Sequence, residues 1–183
     1  MLRPKSTEIA EKSAQACEKG VNNPNIGYDQ NGRNTGHREA QKVGYDLSKI
    51  TVPCEVDCSS FMTICAIAAG VKSLEYTGNA PTTSTMRRAF VRTGLYEVHT
   101  ESRYLTTDAY LKRGDILVAE GKHTVMVLED GSKAGEKKSV QEVAQEILDG
   151  KWGNGRERRV RLAEYGYDPI EVQQEVNRLL LRR

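Results

Sequence analysis

Residues Phe61 to Gly70, FMTICAIAAG, carry no charged side chain and a single hydroxyl. Phe61, Ile64, Cys65 and Ala68 recur at helical spacing, which predicts a helix with a buried face that ends at Gly70. Ala66, Ala68 and Ala69 keep that helix slim and suit it to close packing against a sheet. Pro53 lies ahead of it, and Asp57 is placed to cap its start. The rest of the chain has to supply what covers this helix.

The flanking sequence offers two kinds of cover. Ser6 or Thr7 can cap a helix running to Gly20, with Ile9, Ala10, Ala14, Ala16 and Cys17 as a weak apolar stripe. A second helix is expected from Ser84 to Arg92, burying Met86, Ala89 and Phe90. The period then changes: DILVAE (115–120) and HTVMVLE (123–129) are β-rich runs separated by Gly121 and Lys122, a hairpin pattern. Between the first helix and the apolar one, the Asn- and Gly-rich stretch 21–49 reads as ordered loop with short structure. Such a length is unusual as idle linker, so it is expected to line a site.

Polar SKAGEKK marks the best boundary, with domains expected at 1–132 and 139–183 and a linker at 133–138. In the tail, Ser139 with Glu142 forms a capping box and Asn154 with Glu157 repeats the pattern. Asp168 followed by Pro169 opens a third helix. The expected fold class is α+β: helices on a small antiparallel sheet, followed by a three-helix bundle.

Charge narrows the partners. The chain holds 27 Lys and Arg against 25 Asp and Glu, and residues 139–183 hold 8 of each sign. Neither part is a polycation, so nucleic acid is not an expected partner. No segment approaches the roughly 20 apolar residues of a membrane span. The start, MLRPKSTEIAEKSAQACEKG, has no apolar stretch of signal-peptide length. Synthesis in the cytoplasm is expected, with any work outside reached by a separate route.

Of the four cysteines, Cys58 lies at the start of the apolar helix, where unpaired N–H groups and the helix dipole favour a thiolate. Cys65 sits two turns inside and reads as structural, and Cys17 as a small buried residue. Cys54 precedes the helix. Cys54 and Cys58 lack a second cysteine pair, so no zinc site and no cofactor is expected. Three residues can supply an imidazole base: His37 in the Asn/Gly loop, His99 in EVHTES, and His123. His123 opens a strand directly after a turn, where a ring can be held still beside a helix terminus. A Cys–His pair supports acyl transfer, and the backbone N–H of Cys58 is the simplest oxyanion donor.

The runs GYDQNGR, DCSSF, TGNAPTTSTMRRAF, LKRGDILV and HTVMVLEDG, from about Gly27 to Gly131, resemble the NlpC-type papain-like cell-wall peptidases, in the branch found in phage endolysins. That resemblance implies a papain-like catalytic domain with Cys58 as nucleophile and His123 as base. It also implies a peptide cleft lined by Tyr28, Asp57, Ser59 and Ser60. The third polar residue that orients the imidazole in that family is missing from its usual strand. Glu136 is near the expected distance and is preferred, with Glu129, a backbone carbonyl or His37 open.

ILDGKWGNG, RLAEYGYD and VQQEVN resemble the three-helix cell-wall-binding repeat at the ends of some phage lysozymes. This resemblance implies peptidoglycan as partner, with Trp152, Gly153, Asn154, Gly155 and Arg158 as contacts. A single copy implies modest affinity unless the protein forms a homodimer. The expected function is therefore hydrolysis of an amide bond in the stem or cross-bridge peptide of peptidoglycan. The alternatives are an N-acetylmuramoyl-L-alanine amidase and a wall-binding protein without turnover.

Overall fold

The computed structural model describes residues 1–181, which form two compact units, one from Met1 to Ala134 and one beginning at Gly135. The first is α+β. It contains β1 (Leu2–Pro4), α1 (Thr7–Val21), β2 (Ile26–Tyr28), α2 (Thr35–Lys42), β3 (Cys54–Val56) and α3 (Cys58–Ala68). After these come α4 (Met86–Arg92), β4 (Tyr96–Val98), α5 (Ser102–Leu105), β5 (Ile116–Ala119) and β6 (His123–Met126).

The apolar helix α3 is the hub. Met62, Ile64, Cys65, Ala66 and Ile67 are all buried, and the helix packs against α1 on one element and β6 on another. Four strands form an antiparallel sheet in the order β4-β1-β5-β6. The hairpin expected around Gly121 and Lys122 is there, with Ile116 opposite Met126 and Ala119 opposite His123. Strand β1 was not foreseen. It lies between β4 and β5, with Leu2 opposite both Val98 and Ile116.

The Arg113–Gly114–Asp115 run ties this sheet to α1. Arg113 donates to Glu11 and Glu18 on α1 and to the Leu128 carbonyl. Gly114 has φ +89°, and a Cβ there would meet the backbone of Ala10 at 2.6 Å, so only glycine allows this approach. Asp115 is fully buried and accepts two hydrogen bonds from Arg3 and one from the Lys112 N–H.

The stretch read as loop contains α2. Its sequence is polar, and it is held by contact rather than by an apolar stripe: Gly36 lies so close to β3 that a Cβ would stand 2.5 Å from Val56 and 3.1 Å from the Glu55 carbonyl. Beside it, β2 and β3 form a separate parallel pair with Tyr28 opposite Val56. No described helix is long and apolar enough to cross a membrane.

In the second unit, α6 (Val140–Leu148), α7 (Gly155–Glu164) and α8 (Pro169–Leu180) enclose one core of Val143, Ala144, Ile147, Trp152, Leu162, Val172 and Val176. Ser139 and Glu142 cap α6 reciprocally, and Asp168 caps α8 ahead of Pro169. Asn154 departs from the expected cap. Its side chain makes no bond to the helix backbone, and its Oδ1 accepts from Arg158 Nη2 instead.

Candidate active site

The first turn of α3 is built from its N-cap outwards. Asp57 Oδ1 accepts from the Ser60 N–H at 2.7 Å, and Ser60 Oγ accepts from the Asp57 N–H at 2.8 Å. This closed box sets Cys58 as the first helical residue. Cys17, Cys54 and Cys65 are buried, whereas Cys58 is partly exposed. Cys54 faces the core from β3, and burial pushes its thiol up. Burial does the same, strongly, to Cys65, with the Cys17 thiol on α1 adding to the effect. All four thiols are free.

Pairing of β2 with β3 brings Tyr28 alongside Val56, two residues before the cysteine. Tyr28 is 61% exposed and lies near enough to Cys58 for the two side chains to act on one another. Partial burial and the neighbouring Cys58 thiol raise the phenol above its ordinary value.

Asp57, Ser59 and Ser60, expected to line a peptide cleft, are all buried, and their polar atoms are spent on one another. Ser59 Oγ donates to Asp57 Oδ1 at 3.1 Å. Ser60 Oγ is occupied by the cap. Their place is beneath the cysteine rather than in open solvent, because a helix start this deep in the core needs its own side chains to satisfy its N–H groups.

Arg33 carries no assignment from sequence, yet it organises this end of the helix. Its Nε donates to Asp57 Oδ2 at 2.6 Å, and Nη2 donates to Asp57 Oδ1, Ser59 Oγ and the Pro81 carbonyl. Nη1 donates to the Ala80 carbonyl. The available signal was its position five residues after Tyr28 in GYDQNGR. Its partner Asp57 stands 24 residues further on, beyond the reach of local pattern.

The three histidines have distinct settings. His37 is buried, stacked 4.0 Å from the Tyr76 ring with Nε2 3.0 Å from Tyr45 Oη, and burial lowers its pKa. His99 lies between Glu97 (2.9 Å) and Glu101 (3.6 Å). Burial works against its charge, but hydrogen bonds to Glu101 and Glu97 prevail and raise its pKa. His123 is exposed at the start of β6.

The hairpin register sets the direction of His123. Ile116 and Thr124 are buried, and Val118 and Met126 pack on the α3 core. Alternation therefore turns His123, Val125, Leu117 and Ala119 to the other face. There His123 lines a groove of about 260 Å³ with Tyr104, Leu105, Leu117 and Val125. The structure thus gathers Tyr28, Asp57, Ser59 and Ser60 around Cys58, but among the described residues no hydrogen bond joins Cys58 to His123. Glu136 lies in the second unit, not on the sheet that carries His123. No group of three potential ligands among the described residues is placed to hold a metal.

In the second unit, Trp152 is 7% exposed, with its Nε1 donating to Glu146 Oε2 at 3.0 Å. Tyr165 and Tyr167 meet the ring edge-on. It plugs the core rather than offering a flat outer surface. Arg158 folds back onto the Gly153 carbonyl and Asn154 Oδ1. Gly155 and Arg158 border a groove of about 430 Å³ whose other lining residues include Arg159, Ile170, Gln173 and Asn177. None of these four is among the wall contacts expected from sequence.

Comparison with known proteins follows this division. Residues 1–134 match the model of the endolysin-like domain. The chain belongs to that family. Residues 141–180 of the endolysin-like chain match the CW_7 repeat. A stretch of 42 residues is 52% identical to the lysozyme of Streptococcus phage Cp-7, covering 23% of this chain and 12% of that lysozyme. No solved structure matches the endolysin-like chain.

Proposed function

We propose that this endolysin-like protein is a peptidoglycan hydrolase that cuts an amide bond in the wall peptide, with Cys58 as nucleophile and His123 as base. The observation that carries this reading is the setting of Cys58. It is the one partly exposed thiol, at a fully capped helix start, with the Tyr28 phenol nearby. Thiolate attack on a carbonyl carbon forms the thioester, an imidazolium protonates the departing amine, and water activated by the same ring releases the acyl product. The papain-like character of the first unit belongs to this proposal. So does action on the wall outside the cell, after synthesis inside it and release by a separate route.

The base role asks the His123 ring to leave its groove and reach Cys58. The ring lies on the face of the sheet opposite the α3 core, so that approach requires the β5–β6 hairpin to rearrange. In the second unit, the CW_7 match supports wall binding, with Gly155 and Arg158 at the groove; homodimer formation would add avidity.

Cys58→Ala is expected to abolish release of wall fragments. Lysis persisting unchanged in that variant would overturn the nucleophile. Mass spectrometry of the digest separates the bonds: a new L-alanine amine marks an amidase, and shortened stem peptides mark an endopeptidase. The separation of His123 from Cys58 favours a second reading, a wall-binding protein without turnover. That reading requires wild type and Cys58→Ala to bind walls equally and to release nothing.

A further inference from the structure

A carboxylate is among the best helix N-caps, but here it sits one residue from the sulfur, where its negative charge opposes a second negative charge. Asp57 is in that position, with its side chain 9% exposed and little water to screen it. The Arg33 guanidinium, 12% exposed, answers it through both oxygens. The same group binds Ser59 Oγ and the carbonyls of Ala80 and Pro81. It therefore fixes three segments about the cysteine: the loop before α2, the first turn of α3 and residues 80–81.

We propose that Arg33 is the positioning residue of this site: it cancels the charge of the Asp57 cap, so that the cap fixes Cys58 without opposing the thiolate. The proposal rests on the reading of Cys58 as a reactive thiol, but not on its substrate. The other titratable groups near this point are Tyr28 beside Cys58, Tyr76 within the field of Arg33 and Asp57, and Glu55 on β3, packed over Gly27 and Gly32. Arg33 is the cation in direct contact with Asp57. Lysine in its place supplies one charge but cannot span both carboxylate oxygens, the hydroxyl and two carbonyls at once.

The test is the rate of iodoacetamide alkylation of Cys58 against pH in the full chain, since the other three thiols are buried. Arg33→Gln is expected to slow alkylation at neutral pH about tenfold and to move the profile to higher pH. Arg33→Gln/Asp57→Asn, which removes both charges, is expected to return the profile close to that of wild type. A residue that only braces the loop would not be rescued by removing its partner. Circular dichroism checks the fold of each variant. Should the single Arg33 variant not fold, Asp57→Asn compared with the double variant isolates the same charge, and alkylation faster in Asp57→Asn is expected. Coincident profiles, or a slowed single variant that the double leaves slowed, overturn the proposal. Wall cleavage by Cys58 is measured separately, so its failure is not confused with this one.

Discussion

Gly114 shows how much one residue can carry. A Cβ at this position meets Ala10 backbone at 2.6 Å on a φ of +89°. Gly114→Ala is expected to lower the unfolding free energy by about 3 kcal/mol in urea titration, combining backbone strain with overpacking. His99 makes a pH-dependent contribution of definite sign. Its folded pKa is raised by Glu101 and Glu97, so its stabilisation is complete below the unfolded value of about 6.5 and is lost as pH rises through the folded one. The Met1 amine, lowered by burial, slopes the opposite way across that range, so the comparison has to be a difference. Wild type minus His99→Gln stability is expected to fall between pH 6 and 8, and a flat difference would refute the pairing. The helix start at Cys58 and the strand start at His123 were legible because both are local features. The facing of His123 was not: Val125, Met126 and Val127 are consecutive apolar residues, so period two does not reveal the inward side. The Arg33–Asp57 pairing was hidden by sequence distance.

Among the elements, those with their own punctuation were legible: α3 with its Asp57 cap, the β5–β6 hairpin, and α6 and α8 with their caps. Strand β1 was not, because three residues cannot show a period, and it exists through partners about a hundred positions away. Helix α2 escaped because its buried positions are Gly36, His37 and Ala40, which bear no apolar stripe. Trp152 was read as a contact surface, with a core plug as the alternative, and its 7% exposure among Val143, Ile147 and Leu162 fits the plug. Trp152→Ala is expected to destabilise the second unit by about 3–5 kcal/mol, seen as a lower thermal midpoint for that unit. Trp152→Phe keeps the ring but leaves Glu146 with Lys138 alone, and a smaller loss is expected. If Trp152→Ala leaves the midpoint unchanged, the plug assignment is wrong.

At the scale of the molecule, the division at Ala134 and Gly135 separates chemistry from holding in the proposed function. Deleting residues 139–183 is expected to weaken wall pull-down while leaving Cys58 open to alkylation; undiminished pull-down would count against the wall-binding role. The two units also differ in how far apart in sequence their partners lie. Each helix of the second unit finds its neighbours within about 40 residues, whereas β1 is flanked by strands from residues 96–98 and 116–119. Strand β1 therefore lacks its full set of neighbours until residues 116–119 are available to pair with it. Topology of this kind folds slowly. In a refolding time course, helical signal from the tail should recover well ahead of the tertiary signal of the sheet, although the tail is translated last.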